Sequence, residues 1–148
     1  QLQILEIDGT NVTDLSPLNN LTNLRRLMIA NSPITNLTGI KNLTNLTFLN
    51  LFGDNKLIDI STLRNLTKLI DLGLAGTNIT DLSPMTSLKN LKTLTLFNTN
   101  WSAQVLVDGI NPLTDPDWQS KLIYPPEIQA LFTANPNLEI NWLQLQVK

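Results

Sequence analysis

Carboxylates are the side chains in this sequence whose spacing could support catalysis or metal binding. Glu6 and Asp8 lie two residues apart, so on an extended strand both would point to the same face, as paired catalytic carboxylates do. Asp14, Asp59 and Asp81 recur in similar local sequences, which would suit a ladder of cation sites. Histidine and cysteine are absent, which removes the commonest general base and most zinc ligands. Any such chemistry would therefore rest on these acids alone.

A structural role explains the same acids better. Asp14, Asp59 and Asp81 each come just before a predicted turn, where a carboxylate can accept backbone N–H groups. Glu6 and Asp8 have no aromatic sugar platform beside them, and no serine-nucleophile motif or glycine-rich phosphate loop occurs. We therefore predict that the protein is not an enzyme, with no catalytic residue, no cofactor and no metal.

Length and charge narrow the class of protein further. The length of 148 residues fits one globular domain. Ten basic and twelve acidic residues give a net charge of −2. This acidic balance offers no basic surface for phosphate contacts, so we do not expect nucleic-acid binding. No apolar run approaches the roughly 20 residues of a membrane span, so we expect no membrane insertion.

A repeat of 22 or 23 residues organises the first two thirds of the chain. Five apolar-x-apolar patterns begin at Leu5, Leu27, Leu49, Leu72 and Leu94. Alternation over so few residues predicts one short strand per copy, and each strand can pair only with the next, which gives a parallel sheet. The spacing from Leu49 to Leu72 is 23 residues because the segment Phe52–Lys56 contains one extra residue. We expect this extra residue to bulge outward.

The segments between these strands predict compact return turns. Asp14–Leu18 and Asp81–Met85 share the order Asp-Leu-Ser-Pro followed by an apolar residue. Serine is a good helix N-cap and proline suits the first helical position. Because few residues remain for each return, we expect short 3₁₀ turns instead of full helices.

The combined pattern resembles a known repeat family. Leu-x-x-Leu-x-Leu, as in Leu69–Leu74, followed by the motif around Ile79–Met85, resembles the 22-residue leucine-rich repeat of internalin-like bacterial surface proteins. The resemblance implies an α/β solenoid with a parallel sheet on its concave face and 3₁₀ turns on its convex side. It also implies an extracellular or cell-surface location, with the cytoplasm as the alternative. The asparagine usual after each Leu-x-Leu pair is replaced by other polar residues, namely Thr10, Ser32, Thr77 and Thr99.

The period fails beyond Trp101, so we assign residues 1–101 to five rungs and residues 102–148 to a different terminal unit. That unit is predicted to hold an irregular insertion to residue 125, a helix containing Ile128 and Leu131, and a final strand over 138–147. A solenoid end exposes core leucines, so this unit should act as a helical cap. No matching cap precedes the first rung, so either further chain precedes it or Leu2–Asp8 forms a bare edge.

The outward side chains of the rungs predict a binding surface. Phe52 and Phe97 lie two strands apart, on the order of 9.6 Å, with only Ala75 between them. Large apolar side chains that a solenoid core does not need are typical of an interaction patch. We therefore predict a protein partner, with a monomer or a weak homodimer through the concave face. The predicted partner-binding residues are Arg26, Met28, Phe48, Asn50, Phe52, Asp71, Ala75, Thr95 and Phe97.

Two other functions stay open from the sequence. The 102–125 insertion could build a small-ligand or enzymatic site around its polar and aromatic side chains, Asp108, Asp115, Asp117 and Trp118. Either this insertion or the C-terminal segment could also fold back and cover Phe97. The other function that stays open is that of a structural spacer that presents another domain.

Overall fold

A parallel sheet with one short strand per repeat forms one side of the molecule. The computed structural model describes residues 1–97, 99 and 124–141. Six strands of three residues pair in sequence order, each parallel to the next. They are β1 (Ile4–Glu6), β2 (Arg26–Met28), β3 (Phe48–Asn50), β4 (Asp71–Gly73), β5 (Thr93–Thr95) and β6 (Glu139–Asn141). The predicted parallel solenoid is confirmed.

Short 3₁₀ turns return the chain from one strand to the next, as predicted. They are η1 (Ser16–Leu18), η2 (Thr38–Ile40), η3 (Ser61–Asn65) and η4 (Ser83–Ser87). The N-cap of η1 is Leu15, whose side chain offers no acceptor, so the prediction that serine caps the turn is wrong. The acceptor comes from one residue earlier, because Asp14 Oδ1 accepts the Ser16 N–H at 2.8 Å.

The same bond recurs in other rungs and confirms the structural role of the repeated acids. Asp59 Oδ1 accepts the Ser61 N–H at 2.8 Å, and Asp81 Oδ1 accepts the Ser83 N–H at 2.8 Å. The backbone hydrogen bond from Ser61 holds the pKa of Asp59 below its usual value. These carboxylates therefore serve the turns and are not arranged as a ladder of cation sites.

Leucines at equivalent positions stack into one continuous core. The central residue of each inner strand is at most 2% exposed, in the series Leu27, Leu49, Leu72 and Leu94. At the C-terminal end, helix α1 (Pro126–Ala134) packs against η4 and adds Ile128 and Leu131 to this core. At the other end β1 is an edge strand, where Leu2 is 48% and Ile4 is 53% exposed. The C-terminal end of the described core is thus capped by α1 and β6.

The predicted insertion and part of the predicted final strand lie outside the described residues. This holds for the insertion up to residue 123, including Trp118, and for the strand beyond Asn141. Trp101 is also outside them. The division of the chain at residue 101 therefore stays a prediction.

Close approach of two rungs at η2 requires a glycine. A Cβ on Gly39 would overlap the carbonyl group of Leu15 and lie 2.6 Å from the Ser16 nitrogen. These are backbone atoms, which cannot turn aside as a flexible side chain could. At the equivalent position of η3, Thr62 carries a full side chain, so the requirement is specific to η2.

We expect Gly39→Ala to lower the free energy of unfolding by about 1–3 kcal/mol, the usual cost of overpacking a tight contact. Urea unfolding of the full chain measures this change. Thr62→Ala, which leaves a methyl group at the same turn position in η3, should change the free energy by less than about 0.5 kcal/mol. Equal stability of Gly39→Ala and the unsubstituted chain would contradict the close approach.

Within the Phe52–Lys56 segment the extra residue lies between Asp54 and Leu57, where the chain is exposed, as predicted. Asn55 and Lys56 are exposed, but Asp54 is 0% exposed. Asp54 occupies the position of Ser32 and Thr77 in the neighbouring rungs. The serine and threonine hydroxyls suit this position; the Thr77 hydroxyl, for example, donates to the Leu74 carbonyl at 2.6 Å. A carboxyl group therefore stands in a buried row of hydroxyl groups.

The environment of Asp54 disfavours its ionised form. Its Oδ1 accepts the Ser32 N–H at 2.7 Å, but its buried Oδ2 has no hydrogen-bond partner among the described residues. Burial raises the pKa of Asp54 to about 7; the nearby charge of Asp8 adds to this, and the bond from Ser32 opposes it. Asp54 is thus a site of pH-dependent stability.

Candidate functional site

The outward side of the sheet, which we call the strand face, presents three rows of side chains in register. Hydrogen bonds from Asn31 to Phe52 and from Gly76 to Phe97 extend the ladder beyond the strands and align the third row. The first row is Ile4, Arg26, Phe48, Asp71, Thr93 and Glu139. The second row is Glu6, Met28, Asn50, Gly73, Thr95 and Asn141. The third row is Asp8, Ala30, Phe52, Ala75 and Phe97.

Arg26 and Phe48 form a stacked pair on this face. The guanidinium carbon of Arg26 lies 3.8 Å from the centroid of the Phe48 ring, within the range of a cation–π contact. Arg26 Nη2 also lies 3.9 Å from the sulfur of Met28. All three side chains are half-buried, so the pair holds the Phe48 ring in place on the surface.

Phe52 and Phe97 lean together across the intervening strand. Their ring centroids are 5.9 Å apart at an interplanar angle of 54°, much closer than the distance expected for side chains that stand upright two strands apart. Ala75, between them, is only 1% exposed. A small residue at this position lets the two rings meet, and Ala75 itself lies beneath them.

A cavity of about 290 Å³ opens on the strand face beside these rings, and we call it the slot. It is centred on Gly73, with Asn50 and Thr95 as register neighbours. A Cβ on Gly73 would lie 2.6 Å from Asn50 Oδ1, which accepts the Phe52 N–H at 3.2 Å. The Asn50 amide therefore leans into the space that a Gly73 side chain would fill, and Gly73 lines the slot without a side chain of its own. Its lining residues are Phe48, Asn50, Phe52, Asp71, Leu72, Gly73, Ala75, Thr93 and Thr95.

The structure brings most of the predicted site residues together. Six of the nine line the slot: Phe48, Asn50, Phe52, Asp71, Ala75 and Thr95. Of the other three, Phe97 packs on Phe52, and Arg26 stacks on Phe48 beside Met28. The other three lining residues, Leu72, Gly73 and Thr93, were not predicted as site residues, and Leu72 belongs to the core. Gly73 could have been found as the one position without a side chain in the middle row.

Glu6 and Asp8, the two carboxylates considered for catalysis, are both exposed on the first rung. Asp8 Oδ1 accepts the Ala30 N–H at 2.7 Å, so it links the first two rungs. Within residues 1–97 and 124–141, no group of three or more acidic, histidine or cysteine side chains could hold a metal ion. The alternative site in the insertion lies outside the described residues; its candidates were Asp108, Asp115 and Asp117.

Family and structural comparisons agree with this geometry. Residues 1–42 match the family model of leucine-rich repeats, in two copies. An internalin of Listeria monocytogenes is 41% identical over 66% of this chain and 29% of its own, with a TM-score of 0.63. Internalin C2 of the same organism is 32% identical over 77% and 47%, with a TM-score of 0.61. A leucine-rich-repeat protein of Leptospira interrogans is 26% identical over 93% and 30%, with a TM-score of 0.66.

The stacked strands, the 3₁₀ turns and these similarities define a leucine-rich-repeat protein. Within that class the chain is internalin-like. It spans less than half the length of each of the three structures compared. No curated protein matches the sequence significantly. None of the helices in the described residues has the length and apolar character to cross a membrane.

Proposed function

We propose that this chain is a protein-recognition module that binds its partner through the strand face. The observation that carries the proposal is the aromatic surface at the slot: Phe48 and Phe52 line it, Phe97 packs on Phe52, and all three stay partly exposed on a sheet whose core is already filled by leucines. Aromatic side chains that are held in place and surround a depression are typical of the centre of a protein–protein interface. The role is one of binding without catalysis.

The rigidity of the sheet supports the same function. Every strand is tied to the next by backbone hydrogen bonds, so the side chains of the strand face are held in fixed register. A surface organised before binding loses little conformational entropy when a partner docks. We propose that the chain acts as a monomer or a weak homodimer through this face. The internalin-like repeats favour an extracellular or bacterial cell-surface location.

A matched pair of variants tests the binding face. We expect Phe48→Asp to lose a protein that the immobilised wild-type chain captures, because a carboxylate would replace a wall of the slot. Ile58→Asp makes the same apolar-to-acidic change at a residue that is 60% exposed and lies outside the sheet, just before η3. This control should retain the protein.

The readout is quantitative comparison of the proteins captured by the two variants and the wild-type chain, with thermal melting to confirm that both variants are folded. A protein retained by Phe48→Asp but lost by Ile58→Asp would place binding elsewhere. It would contradict the proposed face.

A further inference from the structure

We propose that the slot receives one arginine or lysine side chain of a protein partner, with its cationic group against Asp71 and its aliphatic stem against Phe48. This inference rests on the proposed function and specifies the chemistry of its contact. Asp71 lies at one end of the slot, where its register neighbours are Phe48 and Thr93. Neither neighbour carries a positive charge.

Asp71 differs from Asp54, the other carboxylate of the described repeats that is at least partly buried, in its hydrogen bonding. Asp54 accepts a backbone N–H, as do the exposed acids of the turns. Asp71 is half-buried, and its carboxylate has neither a hydrogen bond nor an ion pair among the described residues, 1–97, 99 and 124–141. A carboxylate that is partly removed from water without a partner is unfavourable, and a cation supplied by a ligand compensates for this cost.

The size of the slot favours a single side chain. Its volume of about 290 Å³ is at the lower limit of small-molecule pockets, which hold roughly 300–1,000 Å³. Gly73 lines its middle without a side chain, and the contact between Phe52 and Phe97 lies over Ala75, the next outward position of the same rung. The slot therefore combines apolar aromatic walls with one acidic end.

An amphipathic cation is the side chain that satisfies both parts of the slot. Arginine and lysine bury an apolar stem while keeping a charged end group, whereas leucine or phenylalanine would leave Asp71 unpaired and glutamate would be repelled. The ring of Phe48 already stacks with the guanidinium of Arg26. Because Arg26 comes from β2 and the slot extends toward β4, the stem of an incoming side chain meets the ring from the β4 side while its charged group reaches Asp71.

Nuclear magnetic resonance titration of the isotope-labelled full chain tests the assignment. The probes are the N-acetyl amides of arginine, lysine, citrulline, phenylalanine and glutamate. We expect the arginine and lysine probes to shift the amide signals of Gly73, Thr93 and Thr95. Citrulline has nearly the shape of arginine without its charge, so it should bind about tenfold more weakly, the loss expected for one charge-assisted hydrogen bond.

Two variants complete the experiment. Asp71→Asn keeps the shape of the side chain and should reduce arginine binding to the citrulline level. Glu6→Gln removes one charge from the same face three strands away and should leave arginine binding unchanged.

Equal affinities for arginine and citrulline, or unchanged arginine binding by Asp71→Asn, would overturn the inference. If only the phenylalanine probe shifts the amide signals of the slot residues, a basic ligand is excluded, while the strand face remains a binding surface. If no probe shifts these signals, the inference is likewise overturned. The proposed function is then judged separately by the capture experiment with Phe48→Asp and Ile58→Asp.

Discussion

The Asp54→Asn variant will be more stable than the unsubstituted chain above neutral pH, by up to roughly 4 kcal/mol in the free energy of unfolding. This value follows from the rise in the pKa of Asp54 from 3.8 to about 7, at 1.36 kcal/mol for each pKa unit. Burial of Asp54 disfavours its charge, and asparagine carries none. The amide oxygen keeps an acceptor for the Ser32 N–H, and the amide NH₂ replaces the unpartnered Oδ2.

The sign of the pH dependence follows from proton binding. Between pH 3.8 and about 7, Asp54 is protonated in the folded chain and ionised in the unfolded chain, so the folded state binds more protons. Its contribution to stability is therefore fully present below pH 3.8 and is lost as the pH rises toward 7. The advantage of Asp54→Asn should be small near about pH 4 and largest near about pH 8.

Urea unfolding at these two pH values measures the effect. Asp59→Asn is the matched control because Asp59 is exposed and its pKa is lowered, chiefly by the backbone hydrogen bond from Ser61. Asp59 therefore contributes stability above its unfolded pKa, and this is lost as the pH falls. The control should not gain stability at higher pH. An equal advantage of Asp54→Asn at both pH values would show that folding does not raise the pKa of Asp54.

The Leu131→Asp variant will unfold at a much lower temperature than the wild-type chain and will associate. Leu131 lies on α1, is 0% exposed and joins the leucines of the last rung in one core. Truncating a buried leucine costs about 2–5 kcal/mol, and a carboxylate at the same place adds the cost of burying a charge. Loss of α1 packing would expose Leu94 and Leu96, which are fully buried in the capped chain.

Thermal melting and size-exclusion chromatography measure the two expected effects. Ala130→Asp, at the exposed neighbouring position on α1, should change the melting temperature only slightly and leave the chain monomeric. A folded, monomeric Leu131→Asp protein would mean that α1 is not needed to seal the end of the core.

The spacing of leucines was sufficient to predict the sheet, because a strand repeated every 22 or 23 residues can pair in only one order. Leu27, Leu49 and Leu72 occupy identical register positions, so the period also predicts the outward rows. The period also locates Asp54, which lies five residues after the first leucine of its strand pattern, as Ser32 and Thr77 do. The prediction concerned only the outward bulge, and the burial of Asp54 follows from this alignment.

The depth of the slot and the contact between aromatic rings could not be predicted from spacing. The register specifies the distance between the backbone positions of Phe52 and Phe97. The direction of each side chain depends instead on the room left by Ala75. The slot likewise depends on how the side chains of β3 and β5 stand around Gly73, where the Asn50 amide leans into the space that a Cβ would fill. Such space depends on several neighbours at once and produces no periodic signal.

The strict register of the strand face also has an evolutionary consequence. Each rung places its leucines inward and contributes one column of outward positions, so an outward substitution leaves the neighbouring columns in place. The slot is built from only three such columns, on β3, β4 and β5. Exchange of a single rung by recombination could therefore give this scaffold a new ligand preference while the inherited core remains intact.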